Sequence, residues 1–336
     1  MHISIPWKIN FHYRSTLRGT DGDAYNAILT GLQDWAPKIK LPGCMDIHRA
    51  YDIYLMVLKD VPMYFHVSNL ATYLGTGSLT LTPNYTMSES EYRNTFSKVE
   101  QFLRNAGNKL SGLSAFEQLQ SLHNSMLRHV NYHDTESNNE HNVLGAILER
   151  KAVCESIAKA YKALCDYVGI PAVVVFGKAQ DLNSNNPEPD DDGDNHAWNL
   201  VRLDGKWYCV DVTFDLGLMG DDKTNIPRYD YFLRSSKKFS SDHHTSDTYK
   251  IINCPEDFFT YRKMGQAVAS MEDVKKLTKK LIKAGKTTIT FELEPGFSAS
   301  ANTLSDCVLN ATPLFRFHSI QYSYNEAMRV FRAKLL

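Results

Sequence analysis

Three residues in this 336-residue chain have the types and contexts of a thiol-based acyl-transfer site: Cys154, His196 and Asp211. A cysteine supplies a nucleophile, a histidine takes its proton, and an acid fixes the tautomer and orientation of the histidine. Cys154 lies in AVCESIAKAYKALCDYVGIP (152–171), while His196 and Asp211 share NHAWNLVRLDGKWYCVDVTFD (195–215).

The second stretch reads as a β-hairpin. Asp204-Gly205 is the signal of a two-residue type I′ turn between two runs that alternate apolar and polar residues. If those two residues form the loop, Leu203 pairs with Lys206, Trp198 with Asp211 and His196 with Thr213. Side chains alternate between faces, so His196 and Asp211 share a face as diagonal neighbours, roughly 7–8 Å apart at the backbone and within reach of a side-chain contact. Ala197, Val201, Leu203, Tyr208, Val210 and Val212 occupy the opposite face, a core face. The bland reading, in which Asp211 is only a strand-end charge, leaves the histidine on the same face unexplained.

The first stretch reads as a helix. Cys154, Ile157, Ala158, Tyr161, Cys165 and Val168 recur at spacings of three and four, one apolar stripe, while Lys159, Lys162 and Asp166 fall elsewhere. Gly169 is a natural stop. Cys154 therefore opens a buried helix, where unpaired N–H groups and the positive end of the dipole favour a thiolate. Its backbone N–H is also the obvious first donor of an oxyanion hole. A free cysteine is more often a small buried hydrophobe, a description that suits Cys165 better than Cys154.

These motifs resemble the transglutaminase-like superfamily, which shares a papain-type Cys-His-Asp arrangement. The resemblance rests on Ala152–Ala158 around the cysteine, on His196-Ala197-Trp198-Asn199-Leu200-Val201, and on Gly205–Asp215 with its Trp-Tyr-x-Val-Asp-x-Thr pattern. LHNSMLRHVNYHD (122–134), YDYFLRSSKKFSSDHH (229–244) and VLKDVPMYF (57–65) also look like bacterial members. The resemblance spans roughly 114–245. It implies an α+β fold with a papain-like, transglutaminase-like core, in which a helix bearing the cysteine packs on an antiparallel sheet bearing His196 and Asp211. It makes Cys154 the nucleophile, His196 the base and Asp211 the orienting acid of an acyl transfer through a thioester, on peptide or glutamine amides, with no cofactor and no metal. Ala152 and Ser156 stand where the family has glycines, Ile157 where it has an aromatic, and Phe214 where it has tryptophan. Glycine is used where backbone must approach closely, so Ala152 and Ser156 imply a narrowed cleft, a shifted specificity or a member that has lost activity.

Hydrolysis by a peptidase or amidase is the expected outcome, because the polar loop 179–195 feeding into His196 favours water as second nucleophile. Protein-glutamine transamidation and a catalytically silent peptide-binding scaffold are the alternatives. Trp198 and Trp207 are expected as near neighbours on the catalytic face, packing around the triad or touching substrate.

The remaining composition bounds the problem. A net charge of −1 gives no electrostatic case for nucleic acid, and no apolar run reaches the ~20 residues of a membrane span. The expected partner is a protein or peptide substrate. The first residues lack the apolar stretch of a signal peptide, which points to the cytoplasm, or to secretion if a leader has been removed. Six cysteines without regular spacing give no disulfide framework. EPDDDGDNH (188–196) is interrupted by Pro189 and lacks the closing glutamate of a calcium loop. His129 and His133 lack a third zinc ligand, and Asp242-His243-His244 reads as a surface turn.

Three segments are expected: an N-terminal α/β region at 1–110, a catalytic core at 111–250 and a small C-terminal α/β module at 251–336. The first should begin with a strand at Ile3–Tyr13, followed by helices near 24–35 and 47–58, strands near 63–67 and 79–82, and a helix near 89–105. The core adds a helix at 114–131, the cysteine helix, and strands near 172–177, 196–203 and 206–213. The last segment adds a helix at Met271–Ala284, a strand near 287–293, a short helix near 302–309 and strands near 315–324 and 327–336.

Overall fold

The computed structural model describes residues 2–75, 78–133, 137, 139–180, 194–219, 227–249, 251–312, 317 and 319–336. The first part of the chain forms α1 (His12–Thr16), α2 (Gly19–Gln33), β1 (Ile39–Lys40), α3 (Ile47–Asp60), β2 (Val67–Leu74), β3 (Thr80–Tyr85) and α4 (Glu89–Gly107). The central part forms α5 (Ala115–His129), β4 (Asn131–Tyr132), β5 (Lys151–Ala152), α6 (Cys154–Tyr167), β6 (Ala172–Ala179), β7 (His196–Leu203), β8 (Lys206–Val210), α7 (Val212–Gly217), β9 (Phe232–Arg234), α8 (Ser236–Phe239) and β10 (His243–Thr245). The last part forms α9 (Thr260–Lys263), β11 (Ala267–Val268), α10 (Met271–Lys283), β12 (Thr288–Leu293), α11 (Ala301–Asn310), β13 (Ile320–Asn325) and β14 (Val330–Leu335).

The protein is α+β. Its central sheet is antiparallel throughout, in the order β10-β6-β7-β8-β9. Helix α6 lies against β6 and β7, with α4 and α5 packed on it in turn. Its helical stop is as expected: Gly169 takes a positive φ of 80°, and the next residue's N–H returns to the Cys165 carbonyl.

The surroundings of α6 differ from expectation in one respect. Every residue from Cys154 to Asp166 is buried, including the polar ones off the apolar stripe. Lys162 is paired with Asp166 at 2.7 Å, and its ammonium also donates to the Asn10 carbonyl at 3.2 Å. The Asn10 side chain in turn reaches the Ala172 carbonyl at 3.0 Å. The N-terminal segment thus roofs the polar side of the helix, and burial raises the Asp166 pKa to about 6 against the pull of Lys162.

That roof is not the strand expected at Ile3–Tyr13. Residues 2–11 run as irregular chain, and His12 opens α1. Pro6 has no N–H to give to a ladder. The segment is instead tied down singly, by Ile3 N–H to the Gln33 carbonyl and by Asn10 to α6. Residues 63–66 likewise form turns rather than a strand. In the VLKDVPMYF stretch Asp60 is a buried hub, accepting the Tyr13 and Arg14 N–H groups and the Tyr25 hydroxyl.

The last part of the chain builds its own apolar core around Val274, Ile289, Phe291, Leu304, Val308 and Phe331. It is joined to the central sheet by buried charge: Glu292 of β12 accepts Arg234 of β9 at 2.8 Å and Lys238 of α8 at 2.7 Å, both on Oε1.

Candidate active site

The turn residues Asp204 and Gly205 take positive φ values of 49° and 84°, the backbone that a type I′ turn demands and that glycine and aspartate tolerate. The register runs as expected from Leu203↔Lys206 to Asn199↔Val210. There it ends. The expected pairs Trp198–Asp211 and His196–Thr213 do not form, because Asp211 leaves the strand to cap α7, its Oδ1 accepting the Phe214 N–H at 3.0 Å. His196 pairs with Gly177 of β6 on its other side. The side-chain contact nevertheless forms: His196 Nε2–H donates to Asp211 Oδ2 at 2.6 Å, with both residues buried.

This pair dominates the local electrostatics. Burial works to lower the His196 pKa, but the Asp211 charge and hydrogen bond, together with Cys154, push it up to about 10. Asp211 is held well below the usual carboxylate range: burial would raise it, and the two imidazoles facing it outweigh that. With Nε2 committed to Asp211, Nδ1 is the nitrogen left for the thiol.

Cys154 is the first residue of α6 and is 9% exposed. Val153 precedes the helix without a side-chain cap, so the first-turn N–H groups stay unclaimed by any side chain of the N-cap. Cys154 belongs to a small buried cluster with Ala158, Val174 and Ala197, against which Phe176 packs. Asn199 locks this side of the sheet to the helix, donating to the Ala158 carbonyl at 2.9 Å and the Val173 carbonyl at 3.2 Å. That bridge gives the asparagine of the His-Ala-Trp-Asn motif a physical role: it sets where the helix start sits relative to His196.

The departures from the family pattern find local explanations. Ser156 does not project into open space. Its hydroxyl donates to the Asn142 carbonyl and accepts the Ala146 N–H at 3.0 Å, pinning the segment that leads into β5. Phe214 stands against the His196 ring at 4.9 Å between centroids. Glu155, next to the nucleophile candidate, is buried among Lys159 at 2.7 Å, His141 at 3.0 Å and Asn69 at 3.1 Å. Burial would raise its pKa, yet Lys159 and His141 hold it down to about 2.

The two tryptophans separate. Trp198 is buried, stacks on His196 with centroids 6.1 Å apart, and lies over Gly177, where an added Cβ would come within 2.8 Å of its ring. Trp207 pairs with Arg202, beside the turn and away from His196. The two indoles are not neighbours, because Trp207 stands opposite Arg202, four residues along β7 from Trp198. The polar loop and the acidic EPDDDGDNH stretch lie largely outside the described residues.

Sequence reasoning missed His243. Expected in a surface turn, it is 4% exposed and sits behind Asp211. Its Nε2 is 2.9 Å from Asp211 Oδ2 and its Nδ1 is 2.6 Å from Asp242 Oδ1. The Tyr231 hydroxyl donates to Asp242 Oδ2 at 2.6 Å. The Asp-His pair in SSDHH was the available signal, but its burial depends on β10 adding to the edge of β6.

Residues 97–212, which contain all three candidates, match the sequence model of the transglutaminase-like superfamily. The chain carries a transglutaminase-like core. Kyphoscoliosis peptidase of Mus musculus is 29% identical over 97 residues, and its Homo sapiens counterpart 28%. Each alignment covers 28% of this chain and 15% of the relative, so the chain matches only a small part of these relatives' length. Among solved structures, a TGase is 14% identical over 60% of this chain and 54% of its own, with a TM-score of 0.31. The periplasmic domain of TgpA from Pseudomonas aeruginosa is 15% identical over 42% of this chain and 55% of its own, with a TM-score of 0.28. Among the described residues no helix is long and apolar enough to cross a membrane.

Proposed function

We propose that the chain catalyses cysteine-dependent acyl transfer on peptide or glutamine amides, ending more often in hydrolysis than in crosslinking. The observation that carries this reading is the buried 2.6 Å His196–Asp211 pair, with Cys154 close enough to His196 to raise its pKa. A silent scaffold has no need of an imidazole held between an acid and a thiol.

Cys154 passes its proton to His196, and the sulfur attacks the amide carbonyl carbon. The backbone N–H of Cys154, at the open end of α6, faces the developing oxyanion. As the C–N bond breaks, His196 returns the proton to the departing amine, leaving a thioester. His196, now neutral, takes a proton from water. The hydroxide equivalent displaces the sulfur, and the acid leaves as the cysteine is restored. Asp211 keeps the Nε2 proton in place throughout, so that Nδ1 does the transferring. An amine in place of water gives transamidation by the same steps.

The test is incubation of the protein with a peptide library, a glutamine-containing peptide and a biotinylated amine, alongside Cys154→Ala. Peptide or amide cleavage that Cys154→Ala loses is the expected result. Amine incorporation outpacing hydrolysis replaces the hydrolase reading with transglutaminase activity. Cleavage that survives in Cys154→Ala overturns the assignment.

A further inference from the structure

We propose that His243 is a positioning residue: a buried imidazolium that clamps Asp211 from behind and, as a fixed positive charge, limits how tightly His196 keeps its proton. The inference rests on the reading of Cys154, His196 and Asp211 as the reacting groups.

The geometry around the ring is unusually complete. Nε2 faces Asp211 Oδ2 at 2.9 Å and Nδ1 faces Asp242 Oδ1 at 2.6 Å. Ionised carboxylates only accept hydrogen bonds, so an imidazole between two of them carries a proton on each nitrogen. Asp242 is itself fixed by the Tyr231 hydroxyl, which donates to its other oxygen. The groups facing His243 are therefore Asp211 from the start of α7, Asp242 from its own turn, the Tyr231 phenol through Asp242, and His196 of β7, whose ring centroid is 5.6 Å away. Phe214 and Phe239 each pack on the ring at 4.6 Å, and Trp198 meets it edge-on at 5.1 Å. Burial opposes protonation of His243, and the two carboxylates outweigh it, raising its pKa.

The result is a row of alternating charges, His196, Asp211, His243, Asp242. Asp211 alone in such a buried place would hold the His196 proton too firmly for the second half of the reaction, in which His196 must become a neutral base. A positive His243 on the same carboxylate oxygen opposes that hold. It also leaves Asp211 no freedom to turn, since Oδ2 accepts from two imidazoles and Oδ1 from the Phe214 N–H.

His243→Gln separates charge from clamp, because its amide can still donate toward Asp211 while the positive charge is gone. The expected result is a rise of about two pH units in the His196 titration, the effect of a unit charge 5.6 Å away at an effective dielectric of about 20. Turnover at neutral pH falls about a hundredfold in step. The shift is read by ¹⁵N NMR of the histidine rings and by the pH dependence of Cys154 alkylation. In the unaltered protein the same spectra should show His243 protonated on both nitrogens at pH 8, a measurement that needs no variant and no substrate. Asp242→Asn serves as a second variant and should lower the pH at which His243 loses its second proton. A singly protonated His243 at pH 8, or a folded His243→Gln with an unmoved His196 titration, overturns the inference. Slow Cys154 alkylation in the unaltered protein overturns the acyl-transfer reading instead, a separate outcome.

Discussion

Asp211→Asn is the sharpest probe of the site, because it removes a charge and leaves a shape. Asparagine caps a helix as well as aspartate does, so α7 keeps its first turn through the Phe214 N–H. The loss is electrostatic. At 2.6 Å, with an effective dielectric near 20, two unit charges attract by about 6 kcal/mol. Burial takes back part of this. What remains agrees with a His196 pKa raised from 6.5 to about 10, worth about 5 kcal/mol at 1.36 kcal/mol per unit. In the variant the burial cost stays and the Asp211 attraction is gone, with only Cys154 still favouring the charged ring, so His196 should titrate well below about 10. The asparagine amide would also donate to Nε2 and drive the ring proton to Nδ1, the wrong tautomer for a base facing Cys154. Turnover should fall by about 10²–10⁴. The sign carries over to stability. His196 binds its proton more tightly folded than unfolded, so its contribution is whole below about pH 6.5 and is lost as pH climbs through about 10. Asp211, with its pKa depressed, contributes fully above about pH 4 and loses that contribution as pH falls toward its folded value. Thermal unfolding across pH 5–10 should therefore show an alkaline decline that Asp211→Asn flattens, while ¹⁵N NMR follows His196 directly. A variant whose His196 still titrates near 10 would refute the reasoning.

Cys154 should outpace the exposed Cys44 in brief iodoacetamide labelling at pH 6.5 despite its burial, since His196 stands beside it; mass mapping decides, and a faster Cys44 counts against the site. Ser156→Gly, which restores the glycine of the family pattern, should cost about 1–3 kcal/mol in urea unfolding by stranding the buried Ala146 N–H, with Cys154 labelling little changed. Gly177→Ala should destabilise by about 1–3 kcal/mol and reduce turnover, because its Cβ would collide with the His244 carbonyl and come within 2.8 Å of the Trp198 ring. A fully active, stable Gly177→Ala would show that β10 is not held as described.

What was legible in the sequence follows the range of the forces involved. The Asp-Gly turn set the register of five rungs, because turn chemistry acts over four residues. The stripe from Cys154 to Val168 located α6, because helical periodicity is local. The strand end at Val210 was not legible: continuing the alternation and capping α7 are both open to an aspartate, and the cap won. The burial of Lys162 and Asp166 was hidden because the segment that covers them is more than 150 residues away in the chain. His243 was hidden for a related reason. Its strand is three residues long, too short to show a period, and only its pairing with β6 places His243 inside while the next two residues stay exposed.

Arg234 and Lys238 meeting on one oxygen of Glu292 has a consequence for how the protein can be taken apart or recombined. The last part of the chain has a core of its own, and by that measure it is a unit that could be exchanged or dropped. Its charge is not its own. Cutting the chain ahead of β12 would take away the carboxylate that pairs with a fully buried guanidinium. Any replacement module would have to present a carboxylate at the same point before it could dock. The C-terminal segment thus works as a counter-ion to the central sheet.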